Sequence, residues 1–264
     1  MQFIKRKLIP LLLFCSILMF GIALGITVYN FFEYQSQMPL MAEIKQLDNN
    51  SKSLSKEVQD VVYKSRSSTV KVLSVSFESN MFSSTTGTYF IKNDRHFVLT
   101  VNHGIPGECK FTKINVDGQL LKCKRFIELN SAYDYAIIEI DEEIENRIPV
   151  HIPSDLPFGR EWKSSLSILG DVYYSGFPNN VNGPLTIKGR IAGYAPGGLL
   201  YVHSYAWSGS SGSGVFTSQG EFIGYVVAID IGQTEYGIDI MEDIVLVAPI
   251  YNVDFTEIND DEKE

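Results

Sequence analysis

Alternating apolar and polar positions dominate the chain from Thr69 onwards, and this period of two predicts β-strands. Residues 69–140 contain six such runs, which are rich in β-branched and aromatic residues and are separated by turn residues. Because no helical spacing appears between them, this half is predicted to form a β-barrel or a β-sandwich. The runs are TVKVLSVSFE, TTGTYFIKN, RHFVLTV, KFTKINV, QLLKCKRFIEL and DYAIIEI.

A second series of strands follows a charged connector at 141–167 that contains three prolines. Strands are predicted to resume around residues 165–168 and to continue to residue 250. We therefore predict an all-β fold of two consecutive antiparallel halves with a hinge between them. The acidic tail DFTEINDDEKE is predicted to be frayed. The later runs are VYYSGF, LTIKGRIAGY, LLYVHSYA, SGVFTS, EFIGYVVAID, EYGIDI and IVLVAPI.

The N-terminus carries a different pattern, an uncharged apolar run from Leu8 to Tyr29. This run is long enough to cross a hydrocarbon core of about 30 Å. A basic cluster at 5–7 precedes it and Glu33 follows it, so the positive-inside rule predicts a cytoplasmic N-terminus and an exported remainder. A cleaved secretory signal ending near residues 23–25 is the alternative, although the run exceeds a signal core of about 7–15 residues. In that case the rest of the chain is secreted.

A helical stalk is predicted to follow the anchor, because apolar residues recur at helical spacing from Met41 to about residue 64. The spacing falters at 49–51, which indicates a broken amphipathic helix rather than a sustained coiled coil. Such a stalk holds the domain off the membrane or supports weak self-association. The predicted boundaries are 1–32 for the anchor, 33–66 for the stalk, 67–252 for the β-domain, divided near 141–167, and 253–264 for the tail.

The charge of the exported part excludes one class of partner. Three of the 22 basic residues and none of the 31 acidic residues lie in the first 32 positions, which leaves 19 basic against 31 acidic residues and a formal charge of −12. So acidic a domain is repelled by the phosphates of nucleic acids and by anionic lipid surfaces. We therefore expect no nucleic-acid partner.

Two cysteines of the β-domain, Cys109 and Cys123, flank a predicted hairpin with its turn near Asp117 and Gly118. In an exported domain they form either a disulfide or two free thiols, and the sequence leaves both open. No spacing typical of metal ligands occurs, so neither a metal nor a cofactor is expected.

The segment WSGSSGSGVFTSQGEFIG, at 207–224, joins a glycine-rich loop to a predicted hairpin. Glycines around Ser211 suit a sharp loop that presents one hydroxyl and aims successive backbone amides into one small space. A flexible linker has a similar composition, but a linker would not run directly into two apolar strands. Ser211 is therefore the candidate nucleophile.

A serine nucleophile needs a base, and the base needs a group that orients it. His103 ends the apolar strand FVLTV, where a side chain can face a cleft, whereas His96 and His151 have the surroundings of surface residues. Asp134 precedes the strand YAIIEI. The order His103, Asp134, Ser211 places the base and the acid in the first half and the nucleophile in the second.

These segments resemble the motifs of the trypsin-like serine proteases, which have the chymotrypsin fold, nearest the bacterial branch of HtrA-type and glutamyl endopeptidases. FVLTVNHG resembles the family's histidine motif, DYAIIEI its aspartate strand and GSSGSG its serine motif. The resemblance implies two antiparallel β-barrels, a catalytic triad of His103, Asp134 and Ser211, and an oxyanion hole formed by the amides of Gly209 and Ser211. Further similar segments are GFP at 176–178, GRI at 189–191 and GEFIG at 220–224.

Three departures from the family pattern stand near the predicted site. Val101 and Asn102 replace a pair of small residues before the histidine, and the bulkier valine could tilt the base. Gly104 stands where animal trypsins carry a cysteine. Ser210 replaces the aspartate of zymogen-type members, which implies an enzyme that needs no N-terminal cleavage. The residues after position 249 are too few for the PDZ-like domain that many HtrA-type enzymes carry, so none is expected.

The resemblance implies a pocket for P1, the substrate residue before the scissile bond. The residues around this pocket are uncharged, and they predict the substrate preference. Tyr205 stands six residues before Ser211, where trypsins hold the acid that binds lysine or arginine. This predicts against a basic P1 and for a small or apolar one. His203 keeps an acidic P1 open, because a pocket histidine accepts it in glutamyl endopeptidases. The predicted pocket residues are His203, Tyr205, Tyr225, Val226 and Val227.

The sequence thus predicts a membrane-anchored serine endopeptidase that acts on protein or peptide substrates outside the cytoplasm. A catalytically inactive protease fold, tethered to the membrane as a binding or sensor module, is the alternative. A purely structural β-domain explains the strands but not the order of the three candidate residues.

Overall fold

Two antiparallel β-barrels of six strands each, preceded by one α-helix, make up the described part of the chain. The computed structural model describes residues 55–152, 166–179, 181, 183–234 and 237–258, without the side chains of 228–242. The predicted anchor and most of the predicted stalk lie outside these residues. Among the residues described, no helix is long and apolar enough to cross a membrane.

The first barrel closes in the order β1-β2-β3-β6-β5-β4. Its interior is filled by the alternate apolar residues of the predicted runs, among them Val72, Val98, Ile114 and Ile138, all of them fully buried. The six predicted strands of this half are confirmed, and they form a closed barrel rather than a sandwich. The strands are β1 (Thr69–Ser76), β2 (Met81–Lys92), β3 (Arg95–Thr100), β4 (Thr112–Val116), β5 (Gln119–Asn130) and β6 (Tyr135–Ile140).

The second barrel closes in the order β10-β11-β12-β9-β8-β7. The runs EYGIDI and IVLVAPI were predicted as two strands but form one, because β12 pairs with β11 on both sides of an irregularity between Ile229 and Ile231. This irregularity accommodates the acidic stretch that separates the two runs. The strands are β7 (Asp171–Gly176), β8 (Leu185–Tyr194), β9 (Leu200–His203), β10 (Gly214–Thr217), β11 (Phe222–Thr234) and β12 (Gly237–Pro249).

The strand predicted around residues 165–168 is wrong for the residues described there. Residues 166–170 form a bend and a turn, in which the Gly170 amide donates to the Ser167 carbonyl at 2.8 Å. Leu169 has a φ of 69°, in the left-handed region that a strand does not use. The turn aligns with β8 through a hydrogen bond from the Leu169 amide to the Ile191 carbonyl.

The helix α1 (Lys56–Ser67) packs on the second barrel, so this part of the predicted stalk belongs to the folded domain. The Ser55 hydroxyl caps its first turn, and Val61 is buried in the same apolar cluster as Phe216 and Phe222. Lys64 donates from Nζ to the Gly220 carbonyl at 2.5 Å. The predicted domain start at residue 67 therefore falls inside the helix.

The C-terminal segment also packs rather than frays as far as Ile258. A 3₁₀ turn at Ile250–Asn252 and another at Thr256–Ile258 place Val253, Phe255 and Ile258 in the core. The predicted frayed tail is thus wrong for residues 253–258, because apolar side chains recur among its acids. Residues 259–264 lie outside the described part.

Cys109 and Cys123 form a disulfide, with their Cα atoms 5.4 Å apart. The bond ties the 3₁₀ turn at Cys109–Phe111 to β5, beside the predicted β4–β5 hairpin, whose turn lies at Asp117 and Gly118 as predicted. The structure thus decides between the two states that the sequence left open.

Glu139 on β6 is a buried carboxylate that accepts hydrogen bonds from three cationic side chains. Arg95 donates to both of its oxygens, at 3.0 and 2.7 Å, Arg125 donates at 2.6 Å and Lys124 at 3.0 Å. Arg95 also donates to the Ile258 carbonyl at 3.1 Å, so the cluster joins β3, β5 and β6 to the C-terminal segment. Burial alone raises the pKa of Glu139, but the hydrogen bonds from the three cations outweigh it and lower the pKa to about 2.

We predict that Glu139→Gln removes part of the acid sensitivity of folding. The pKa of Glu139 is lower in the folded chain than its ordinary value of 4.5, so its contribution is complete above pH 4.5 and is lost as the pH falls towards 2. The variant should lose about 2 kcal/mol of unfolding free energy at pH 7, and less at pH 3, as measured by urea unfolding. The exposed Glu221→Gln is the control, and a loss that stays equal at both pH values would contradict the prediction.

Candidate active site

The first barrel brings two of the predicted site residues together at one end. His103 lies in a 3₁₀ turn at Asn102–Gly104 directly after β3, and Asp134 ends the turn before β6. These two strands pair as far as Thr100 and Ala136, so the segments that leave them are neighbours. The Asn102 amide donates to the Asp134 carbonyl at 3.3 Å and extends this pairing.

The Asp134 carboxylate holds both the backbone and the ring of His103. Oδ1 accepts from the His103 amide at 2.9 Å, and Oδ2 lies 2.7 Å from Nδ1 of the imidazole. Because an ionised carboxylate only accepts, this contact favours the neutral tautomer that has its proton on Nδ1 and a lone pair on Nε2. The side chain of His103 is 51% exposed and that of Asp134 32%, so Nε2 is open to a ligand. Asp134 has a φ of 54°, a conformation that aspartate tolerates better than most residues.

Residues 207–213, here called the serine loop, connect β9 to β10 across a tight turn. The Ser210 amide donates to the Trp207 carbonyl at 2.8 Å, and Gly212 and Val226 fasten the end of the loop to β11. Gly209 and Gly212 have φ values of 99° and 89°, which glycine adopts without strain. A Cβ at Gly212 would lie 2.0 Å from the Thr86 carbonyl oxygen, so the loop needs glycine there.

The amides of Gly209 and Ser211 donate no hydrogen bond within the described residues, although the amides of Ser210, Gly212 and Ser213 all do. As residues, Gly209 is buried and Ser211 is partly exposed. No hydrogen bond joins the Ser211 hydroxyl to His103, although both residues belong to the described part of the chain. The structure thus joins the predicted acid to the predicted base, and places the predicted nucleophile on a separate loop.

Strand β2 of the first barrel holds the serine loop of the second. The Thr86 amide donates to the Ser211 carbonyl at 2.9 Å, and the Thr86 hydroxyl donates to the Gly209 carbonyl at 2.7 Å. The hydroxyl of Thr88 donates to the Gly212 carbonyl at 3.3 Å. The sequence analysis did not single out these threonines. Their signal was the run TTGT, three hydroxyl side chains and a glycine within a predicted strand.

Tyr225 on β11 makes a second link between the barrels at the site. Its hydroxyl donates to the Tyr133 carbonyl at 2.8 Å, one residue before Asp134. Burial raises the pKa of the Tyr225 hydroxyl, and the negative charge of Asp134 raises it further. Tyr225 was predicted as a pocket residue, but it is fully buried and supports the turn that carries the acid.

The other predicted pocket residues are divided between the surface and the core. His203 is exposed at the end of β9, opposite Ile244, whereas Val226 and Val227 are buried. Tyr205 is 58% exposed and stacks on Trp207, with ring centroids 6.4 Å apart. The sequence analysis did not name Trp207, although it opens the segment that carries Ser211.

Comparison with known proteins gives a family and a fold. The family model described as the trypsin-like peptidase domain matches residues 85–224, more than half of the chain. A crystal structure of the serine endoprotease from Yersinia pestis aligns over 79% of this chain and 69% of its own, with a TM-score of 0.59 and 19% sequence identity. At that identity the alignment supports the fold alone. No curated protein matches the chain.

We predict that neutral His103 carries its proton on Nδ1, because Oδ2 of Asp134 accepts there. The ¹⁵N chemical shifts of the ring should show a protonated Nδ1 and an unprotonated Nε2. In Asp134→Asn the side-chain amide can donate to Nδ1, so the proton should move to Nε2. Asp94→Asn is the control, since Asp94 is exposed and shares the positive φ of Asp134. An unchanged tautomer in Asp134→Asn would contradict the assignment.

Proposed function

The chain belongs to the trypsin-like peptidase domain family, and from that premise we propose that it is a serine endopeptidase with His103, Asp134 and Ser211 as its catalytic triad. The observation that carries the proposal is the double contact between Asp134 and His103, which leaves Nε2 free to accept a proton. The serine loop adds a partly exposed serine and two backbone amides that have no acceptor within the part of the chain that the structure describes.

In the proposed reaction, Nε2 of His103 takes the proton of the Ser211 hydroxyl as Oγ attacks the peptide carbonyl. Asp134 keeps the ring in the required tautomer and stabilises the imidazolium. The amides of Gly209 and Ser211 donate to the oxygen of the tetrahedral intermediate. His103 then returns the proton to the leaving amine, and water hydrolyses the acyl-enzyme by the same route.

The departures from the family pattern are compatible with this chemistry. Val101 is fully buried in the apolar core, as its bulkier side chain requires. A Cβ at Gly104 would lie 2.6 Å from the Thr85 side chain, so the turn that carries His103 requires a small residue there. Ser210 is buried, and its hydroxyl accepts from the Trp207 amide within the serine loop.

A binding or sensor module without catalysis is the second candidate. It is favoured by one observation, the absence of a hydrogen bond between Ser211 and His103. Against it, both partners that a serine nucleophile needs are paired and accessible. Active-site labelling separates the two candidates, because a binding module has no activated hydroxyl.

We propose that the enzyme acts on proteins or peptides with a small or apolar residue at P1. Tyr205 and Trp207 present two uncharged rings four to six residues before Ser211, and they are suited to apolar side chains. His203, which is exposed at the end of β9, leaves cleavage after acidic residues as the competing specificity.

We further propose that residues 8–29 anchor the chain in the membrane with the peptidase domain outside the cytoplasm. The charge pattern around the apolar run supports this orientation. The disulfide Cys109–Cys123 is in keeping with it, since such bonds persist in oxidising compartments. Weak self-association through residues 33–54 is compatible with the same arrangement.

Ser211→Ala should abolish reaction with a fluorophosphonate probe and lower the kcat for casein by several powers of ten, because the attacking oxygen is removed. Ser208→Ala, three residues earlier in the same loop, should be labelled like the unchanged chain. Equal labelling of Ser211→Ala and the unchanged chain would remove Ser211 from the mechanism. Absence of labelling in both would favour the binding module.

Cleavage of a peptide library should show small or apolar residues at P1 and should disfavour lysine and arginine. Trp207→Ala should weaken the preference for large apolar side chains and leave small ones unaffected, because only large ones reach the stacked rings. Predominant cleavage after basic residues would contradict the specificity assigned here. Predominant cleavage after acidic residues that is lost in His203→Ala would assign the pocket to His203 instead.

A further inference from the structure

The side chain of Thr86 lies where the two barrels meet behind Ser211, and we propose that its hydroxyl is a positioning group for the oxyanion hole. The inference rests on the proposed function, because it assigns the residue that holds the Ser211 amide in place. Thr86 does not touch substrate. It acts through the backbone of the serine loop.

Every polar atom of Thr86 is engaged in this contact region. Its amide donates to the Ser211 carbonyl at 2.9 Å, and its hydroxyl donates to the Gly209 carbonyl at 2.7 Å. The same hydroxyl accepts from the Phe177 amide at 2.8 Å. The Thr86 carbonyl accepts from the Thr100 hydroxyl at 2.7 Å, which fixes β2 against β3.

The two carbonyls that Thr86 holds lie on either side of the Ser211 amide. Each peptide unit is planar. The position of the Gly209 oxygen therefore sets the orientation of the peptide between residues 209 and 210, and the position of the Ser211 oxygen sets that of the peptide between residues 211 and 212. Together they restrict the rotation of the intervening peptide, whose N–H is the proposed oxyanion donor. The carbonyl of this peptide, that of Ser210, also accepts from the Ser213 amide at 3.1 Å and from the Ser213 hydroxyl at 2.6 Å. Loss of the Thr86 hydroxyl therefore loosens the Ser211 N–H on its Gly209 side and does not release it altogether.

Packing around Thr86 prevents water from replacing the hydroxyl without a rearrangement. Thr86 is fully buried, and a Cβ at Gly176 would lie 3.1 Å from its hydroxyl oxygen and 2.3 Å from that of Ser213. A Cβ at Gly212 would clash with the Thr86 carbonyl. A methyl group in place of the hydroxyl would leave the Gly209 carbonyl and the Phe177 amide buried without partners, which favours a shift of the loop.

The hydroxyl also joins two segments of the second barrel, which the Asn179 amide links directly as well by donating to the Ser208 carbonyl at 2.9 Å. Phe177 follows β7, and Gly209 belongs to the serine loop, so one oxygen of the first barrel links both by donating to one and accepting from the other. A valine has the same shape but can do neither. A serine can do both, and this difference makes the proposal testable.

The test compares Thr86→Val, Thr86→Ser and Thr85→Val in the full chain with a fluorophosphonate probe and with casein. Thr85 is the matched control, because it is a buried neighbour on the same strand whose hydroxyl meets Thr100 rather than the serine loop. Thr86→Val should react about 10- to 100-fold more slowly with the probe, less than the loss on deleting an oxyanion donor outright. Its kcat for casein should fall by a similar factor with KM unchanged. Thr86→Ser should stay close to the unchanged chain.

A purely structural role gives a different result. Thr86→Val and Thr85→Val would then lower the urea midpoint of unfolding by similar amounts. At urea concentrations well below that midpoint, both variants would react with the probe at the rate of the unchanged chain. This result would overturn the proposal. Equal slowing in both variants would also overturn it. If Thr86→Val does not fold, Thr86→Ala replaces it, since alanine and serine are both smaller than threonine and only serine keeps the hydroxyl.

Failure of the proposed function is recognised separately. If the unchanged chain does not react with the probe, the endopeptidase proposal falls and the role of Thr86 falls with it. If the unchanged chain reacts, Ser211→Ala does not and Thr86→Val reacts normally, only the positioning role is lost.

Discussion

The contact between β2 and the serine loop is the constraint on which the rest of the site depends. A loop whose Gly209 and Ser211 amides have no acceptor among the described residues still has to satisfy its buried carbonyls, since an unpaired buried polar group costs about 1–3 kcal/mol. The first barrel supplies those partners through the amide and hydroxyl of Thr86 and the hydroxyl of Thr88. The strand is therefore hydroxyl-lined where a β-barrel would otherwise carry apolar residues. Stability of the loop and availability of its amides thus follow from the same set of hydrogen bonds.

Contacts outside this interface extend the same support to the acid and to the back of the loop. Tyr225 reaches from β11 to the carbonyl before Asp134, so the turn that carries the proposed acid is fixed by the barrel that carries the proposed nucleophile. Behind the loop, the Ser65 hydroxyl of α1 donates to Ser175 at 2.9 Å, next to the close approach of Gly176 to Ser213. The helix and the C-terminal segment are consequently parts of the domain, although neither belongs to a barrel.

Alternation is a local signal, so the sequence allowed two β-rich halves to be predicted. The two barrels and the pairing of His103 with Asp134 were implied by the resemblance to the trypsin-like serine proteases. The sequence did not allow the packing of α1 to be predicted, since an amphipathic helix has the same pattern whether its apolar face meets a barrel, a second helix or a membrane. The role of Thr86 was inaccessible for a related reason. A threonine in a strand says nothing about which carbonyl its hydroxyl will meet, and here the partner is 123 positions away.

Two observations describe the link between the proposed base and the proposed nucleophile: no hydrogen bond joins Ser211 to His103, and half of the His103 side chain is exposed. With half of its side chain open to solvent, the imidazole can exchange a serine partner for water at little cost, so the free site has no strong preference for the paired state. Catalytic hydrogen bonds are often long or poorly aligned without substrate and tighten in the complex. A peptide lying across the serine loop would exclude water from Nε2 and leave the Ser211 hydroxyl as its remaining partner. Before a substrate binds, we therefore expect Asp134 and the backbone of the serine loop to be held firmly in place. The contact between the proposed base His103 and the proposed nucleophile Ser211 should be looser.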